Sequence, residues 1–559
     1  MVAELSPEIT RAQNGLFVTH CSLAGLADRL PLRWPAPPDL PPSPKRAYRS
    51  QYTYLGWADL RDPVGWAEQT PFDLTLRLID FNPLRPVLAR RLGWTSARGW
   101  TPFDPVSLFL LHGWQLTNGW NRRQLLESLA RTCFADYARR FGFVAGGYPT
   151  EGGLRYWLTE LGRHSETGET VAVVLAADQV EERAIQFLNE LVAQAVALFV
   201  QADLFSPETL TQALVCPDGM LHDAASHMRC AYVRASCYEP ITPETPRPCH
   251  AQEEGKPGCA CDTPACATHC DRAPARDPEA RFVHYAGHNQ ADAPVTTPPT
   301  DHAAGKDCYG YQSLPLQLAD RARRFSVVLL DDFLAASARI ENPSAALLLQ
   351  LARFYPDLHV DAVAGDAGLG YEVFLRTVHA QLHARRIVDQ RAHQTDANPE
   401  HWLERHYDDH GRPLCPYGYA LTANGFDRHR RRHKWFCGRA CRRGQDPVVR
   451  QAETGYPPAE CPYRDRPRGQ LVNIGERFAD GSLRLTRDVV VDSAEWDRLY
   501  HRGRNAVEGR NSTRKRWGLK RLPVYGTLRG KALTFLADVW DNLTTLARLV
   551  QEATAATGN

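Results

Sequence analysis

An α/β core, preceded by a helical N-terminal region and interrupted by two irregular insertions, is the fold class this sequence predicts. Three observations lead there. Up to about residue 203 the apolar residues recur at helical spacing. Beyond it, short runs of β-formers (Leu210–Cys216, Phe325–Leu330, Leu358–Gly365) alternate with helical patterns (Ser344–Phe354, Tyr371–Leu382), the mark of an α/β arrangement. Two stretches, 239–310 (rich in Pro, Cys and Asp) and 405–470 (rich in Arg, Cys and Pro), lack either period and read as insertions into that core.

The elements follow in order. Residues 1–70 form a proline-rich extension, with Pro31, Pro35, Pro37, Pro38, Pro41, Pro42 and Pro44 holding an extended strap. Residues 71–203 are expected to be an all-α domain. Asp104-Pro105 is a helix start, a capping acid followed by a proline that needs no N–H partner, and Leu108, Leu111 and Trp114 follow on one face. A second helix is expected over Asn121–Arg139 and a long one over 177–201, through Ile185, Leu188, Leu191, Val192, Ala195 and Leu198. The core then occupies 204–404 and 471–559, and ends on an amphipathic helix, Leu533–Val550.

A chain of 559 residues, 43% hydrophobic and 23% charged, has the composition of a globular protein of several domains. It has no run of 18 apolar residues, so no membrane span is expected. Met1–Arg11 lacks a signal pattern, and the cytoplasm is the expected location. There, fifteen cysteines point to metal binding or buried thiols rather than disulfides.

Three acids stand out. Between Arg498 and Lys531 eleven Lys or Arg accompany a single acid, Glu508. Arg504, Glu508 and Lys515 are spaced by four and seven, within roughly 40° on a helix. An arginine, a carboxylate and a lysine on one face suit a metal ion and the phosphates beside it; the alternative is a surface salt-bridge stripe. Asp366 follows the strand Leu358–Gly365 and precedes a turn, where ligand-binding acids of open α/β sheets sit; the alternative is a capping role. Asp331 and Asp332 compete for that place, while Asp361 lies mid-strand. Asp218-Gly219 by itself signals a turn.

Together these segments resemble DDE transposases of bacterial insertion sequences. Tyr500–Gly526 is similar to the family's C-terminal signature: an arginine, the catalytic glutamate four residues on and a lysine seven further match Arg504, Glu508 and Lys515, with Tyr500 one residue further from the arginine than is commonest. Val363–Tyr371 resembles the second-aspartate motif, and Val215–Ser226 the first, with Met220 in place of the usual Thr and Asp223 as a rival to Asp218. Asp277–Phe282 is similar to a segment between the two acids, and 78–160 to the N-terminal domain. The resemblance implies a ribonuclease-H-like mixed sheet with flanking helices. Asp218, Asp366 and Glu508 would be the catalytic ligands of Mg²⁺ (or Mn²⁺), with Arg504 and Lys515 on DNA phosphate. The implied partner is double-stranded DNA, at element ends and target, bound in part by the helical N-terminal domain; a homodimer is expected by analogy, and nucleoid association follows. A non-catalytic DNA-binding derivative and a nuclease that cuts without joining are the alternatives.

Two cysteine groups are candidate zinc ligands: Cys259, Cys261, Cys266 and Cys270, and Cys415, Cys437, Cys441 and Cys461. The second resembles a cysteine-containing insert of some relatives. Neither has paired CxxC spacing, and reduced thiols in irregular insertions are the alternative. Arg430, Arg431, Arg432 and Lys434 lead a basic run containing Trp435 and Phe436, a pattern of phosphate contact with aromatic stacking; a solvated basic face is the alternative.

Overall fold

The computed structural model describes residues 26–557, apart from 41–47, 56–68, 226–276, 287–304, 389–411, 448–460, 476–487 and a few shorter breaks. Helices α1 (Pro71–Leu78) and α2 (Pro105–Thr117) start as capping chemistry dictates: Thr70 Oγ1 accepts from the Asp73 N–H at 3.1 Å and Asp104 Oδ1 from the Val106 N–H at 2.9 Å. α2 is buried on almost every side, as befits a helix without a polar face. The expected helix over Asn121–Arg139 is broken into Arg122–Leu129, a 3₁₀ turn at Thr132–Phe134 and Ala135–Arg140. The break turns Phe134 and Tyr137 onto Trp114, with Tyr137 stacked at 4.8 Å.

After α3 (Glu151–Arg163) comes a departure from the all-α expectation. Strands β1 (Glu166–Ala176) and β2 (Gln179–Gln186) form an antiparallel hairpin. The expected helix over 177–201 is therefore shortened to α4 (Leu188–Gln201). Val171, Val173 and Val174 favour a pleated strand over a helical turn, and β1 recruits 179–186 as its partner, overriding the helical spacing of Ile185 and Leu188.

The chain then lays down β3 (Ala213–Pro217), β4 (Met220–Asp223), β5 (Arg281–Ala286), β6 (Gly305–Ser313), β7 (Leu316–Ala319), β8 (Ser326–Leu330), α5 (Glu341–Phe354), β9 (Val360–Gly365) and β10 (Arg385–Val388). Five of these make the central sheet, in the order β8-β7-β3-β9-β10. β3 pairs antiparallel with β7 and β7 with β8, whereas β3–β9 and β9–β10 are parallel. By order of appearance the sheet reads 3-2-1-4-5, with the first-laid strand at its centre. β3 is buried throughout and β9 nearly so, as strands covered on both faces must be. β4, β5 and β6 build a second sheet. In the 405–470 region and its flank, β11 (Thr422–Asp427), β12 (Arg432–Phe436) and β13 (Leu471–Gly475) form a third, antiparallel one.

Two helices close the structure. α6 (Ala494–Arg516) covers one face of the central sheet, where Trp496, Leu499 and Val507 meet Leu214, Cys216, Ala362 and Ala364. α7 (Thr527–Thr557) extends beyond the expected Leu533–Val550 at both ends. On the other face its Asn542 side chain bonds both the N–H and the C=O of Val328, each at 2.8 Å. Trp540 packs on Phe72 and Phe109 at 5.1 and 5.2 Å, so the helical region and the sheet share one apolar core. Among the described residues no helix is long and apolar enough to cross a membrane.

Candidate active site

Alternation along adjacent parallel strands decides where two of the acids point. Leu214 and Cys216 of β3, and Ala362 and Ala364 of β9, face α6. Side chains two residues on share that face, and Asp218 and Asp366 are those residues, each leaving the carboxyl end of its strand. The pairing sets Ala362 beside Leu214 and Val363 beside Val215. Continued by three residues, it sets Asp366 beside Asp218, at the roughly 4.8 Å spacing of neighbouring strands.

α6 brings the third acid. Gly503 is the crossing point: a Cβ there would lie 2.8 Å from both Ala364 Cβ and Cys216 Sγ, so only glycine lets the helix lie this close. Beyond it the helix reaches the strand ends. Asn511 Nδ2 donates to Asp218 Oδ2 at 3.2 Å. Glu508, one turn earlier on the same side, projects into solvent with 64% of its side chain exposed. Arg504, half-buried, lies 3.7 Å from Glu508 and is held charged by Asp218 and Asp366. It is the positive centre among three carboxylates. Tyr500, one turn before it, stacks on Trp496 at 4.4 Å. Lys515 is exposed near the end of the helix.

The Asp218 carboxyl is pushed up to about 6, first by burial and then by the negative charge of Asp366, with Arg504 and the donors at Gly219 and Asn511 acting in opposition. One Asp366 oxygen accepts the Gly368 N–H at 3.0 Å, so the local turn role holds alongside its place beside Asp218. Among the described residues no group of three or more His, Cys, Asp or Glu side chains is placed to hold a metal ion, and the exposed Glu508 is not brought onto the two aspartates. Hard carboxylate oxygens are nonetheless the donors that Mg²⁺ takes, and the buried Asp218 carboxyl with the charge of Asp366 acting on it is a place a cation would favour.

The rival acids lie elsewhere. Asp331 is buried against Arg510 at 3.1 Å. Asp332 faces Arg183 at 3.9 Å, Asp361 pairs with Arg385, and Asp223, on β4, lies 3.7 Å from Lys520. Arg432 and Lys434 share one face of β12 and approach Asp427 at 3.5 and 3.7 Å, with Arg430 exposed nearby. Arg431 lies outside the described residues, as do Cys259, Cys261, Cys266 and Cys270. Trp435, read as a stacking platform, is instead buried in a small core with Leu421 and Ile474, because strand alternation turns it away from Arg432 and Lys434. The sequence reading missed Asn511 and Gly503. Asn511's spacing of three from Glu508 was the available signal, whereas Gly503 carries none without the facing strands.

Two results are expected. Gly503→Val forces α6 off the strands and lowers stability by about 1–3 kcal/mol, as overpacking does, in chemical denaturation; an unchanged midpoint contradicts the close crossing. The second concerns pH. The native Asp218 carboxyl keeps its proton to about pH 6, while the unfolded one loses it near pH 4. Between these values the native state binds more protons, so stability falls as pH rises, then levels off above about 6. Metal-free Asp218→Asn lacks this loss. Relative to it, wild type weakens by at most about 3 kcal/mol across that window, less where water screens the carboxylate. Parallel pH profiles of the two proteins overturn this.

The chain matches no protein-family model, no curated protein and no solved structure.

Proposed function

We propose that this chain is a transposase of the DDE type, which cleaves DNA strands at the ends of an insertion sequence and joins them to a target. The observation that carries the reading is the meeting of Asp218 and Asp366 at the ends of adjacent central strands, beneath the helix that bears Arg504, Glu508 and Asn511. A mixed sheet of order 3-2-1-4-5 with such a helix across it supports a ribonuclease-H-like core.

In this reading Asp218, Asp366 and Glu508 would be the side chains that hold Mg²⁺ (or Mn²⁺). Bound metal supplies activation of the attacking oxygen and stabilisation of the leaving one. The chain's own groups do the rest. Asn511 fixes the Asp218 carboxylate. Arg504 holds the acids together before the metal arrives, and then turns its charge toward phosphate. Lys515, further along the same face, contacts the DNA backbone, as Arg430, Arg432 and Lys434 do on the three-stranded sheet. The helical 71–203 region contributes to DNA binding. Water attacks in cleavage and a DNA 3′-hydroxyl in joining. The protein acts at the nucleoid, and pairing two DNA ends calls for a homodimer.

The test incubates purified protein with Mg²⁺, a labelled duplex carrying the DNA that flanks its own reading frame, and a plasmid target. The expected product is covalent joining of the labelled strand to the plasmid. Hydrolysis alone makes the protein a nuclease, and binding without cutting makes it a non-catalytic DNA-binding protein.

A further inference from the structure

The three-stranded sheet of the 405–470 region has a core too small to hold it. Among the described residues its buried apolar side chains are Leu414, Leu421, Trp435, Ala440 and Ile474, with Cys415 beside them. Modules of this size need a covalent or metal staple. No disulfide supplies one: Cys415, Cys437, Cys441 and Cys461 are all free thiols.

Strand pairing gathers these four cysteines at one end of the sheet. Thr422 pairs with Phe436, and Phe436 with Leu471. The loop before β11 carries Cys415, the loop after β12 carries Cys437 and Cys441, and the segment before β13 carries Cys461; all three therefore emerge side by side. Cys437 and Cys461 are near enough for their charge to act on Cys415, and Cys441 and Cys415 both act on Tyr419.

The loops have the shape of metal knuckles. In Cys415-Pro-Tyr-Gly, the Cys415 N–H donates to the Tyr419 carbonyl at 2.9 Å. The Gly418 N–H closes the turn on the Cys415 carbonyl at 2.9 Å, with Gly418 at φ +81°. In Cys437-Gly-Arg-Ala, the Arg439 N–H donates to Cys437 Sγ at 3.4 Å and the Gln470 N–H donates to the same sulfur at 3.3 Å. Gly438 and Arg439 both stand at φ +57°. The Cys437 sulfur also lies 3.9 Å from the Arg468 carbonyl, so the loop after β12 folds back on the segment before β13. A left-handed arginine is unfavourable by about 1–2 kcal/mol and persists where its surroundings impose it. Arg439, Arg442, Arg443 and Arg464 surround the cluster in the chain, which suits the net negative charge of four thiolates on a divalent ion. Among the described residues no three of these sulfurs are placed to hold a metal ion as they stand, so binding has to draw the loops together; their emergence at one end of the sheet is what points to a ligand.

We propose that Cys415, Cys437, Cys441 and Cys461 bind one Zn²⁺ as a tetrathiolate that staples this insertion and holds β11 and β12 so that Arg430, Arg432 and Lys434 share one surface. Four soft sulfur donors select zinc over the hard cations suited to the carboxylate site. This site uses none of the three acids and stands apart from the transposase reading.

The test measures metal on the full-length protein. Elemental analysis of wild type is compared with Cys415→Ser, Cys461→Ser and the control Cys133→Ser, an exposed cysteine elsewhere. Each cluster variant is expected to lose one zinc per chain and the control none. Because a variant that fails to fold would also lose metal, wild type is tested in two further ways. Cobalt substitution is expected to give the visible bands of a tetrahedral tetrathiolate. Alkylation with mass mapping is expected to show these four cysteines protected until a chelator is added. Zinc retained by both cluster variants, iron in place of zinc, or alkylation of the four thiols without chelator overturns the proposal.

Discussion

Asp218→Asn and Asp366→Asn are expected to abolish strand cleavage and joining, each by on the order of 10³-fold or more, while DNA binding changes by only a few-fold. The strand register is the reason. Asp218 and Asp366 leave the carboxyl ends of the paired strands β3 and β9; in the proposed reading both would hold the metal, and removing either charge would weaken its binding. Losses of about 10²–10³-fold are usual when a single group that stabilises developing charge is deleted, and loss of a metal ligand exceeds that. Glu508→Gln, on the exposed helix face and proposed to hold metal, is expected to lose about 10²-fold. Asn511→Ala disturbs only the orientation of Asp218, for which about 10-fold is the expected loss. Single-turnover rates at saturating Mg²⁺ check this order. Asp218→Asn retaining more than a tenth of wild-type rate contradicts it.

Asp538→Ala is expected to remove about 3–5 kcal/mol of stability, the penalty for stranding a buried charge. Asp538, on α7, is fully buried and accepts from Arg510 at 2.7 Å and also from Arg514, both on α6 and both buried. Arg510 reaches Asp331, just past β8, at 3.1 Å. Opposing guanidiniums hold the Asp538 carboxyl below its usual range despite burial. Without it two arginines face each other in the core with Asp331 and Asp541 as the remaining acids acting on them. This network fixes the helix that carries Glu508, so the variant should lose activity as well as stability. Chemical denaturation measures the effect; a change under about 1 kcal/mol means that the network does not anchor α6.

This network also shows where the sequence is ambiguous. Counted along the chain, Arg510 and Arg514 belong to the basic run around Glu508, with nothing local to set them apart from Arg504 and Lys515. In the folded protein they turn inward, toward an acid on the buried side of α7. Helical phase alone does not reveal this, because the partner is 24 to 28 residues away in the chain. Asp218 presents the converse case. Asp-Gly signals a turn, yet no turn forms: the chain runs straight on into β4, with Pro217 opposite Leu316 and Met220 opposite Ser313 in one continuous antiparallel register. Its place, facing α6 beside Asp366, depends on pairing with a strand laid down more than a hundred residues later. What was legible locally was what local chemistry determines: the Asp104 cap, the strands around residues 213, 326 and 360, and the spacing of Arg504 and Glu508 on one helix. The β1–β2 hairpin was hidden because its second strand carries Ile185 in phase with the apolar face of α4. Trp435 was misread because a basic run was counted without the two-residue alternation that buries every other side chain.

The most direct measurement is anomalous scattering from Mn²⁺ in crystals of the protein with a DNA duplex. The account predicts two peaks, about 3.5–4 Å apart, bridged by Asp218 and Asp366, with Glu508 turned inward on one of them. Manganese bound away from these carboxylates, or Glu508 remaining in solvent with metal and DNA both present, contradicts it.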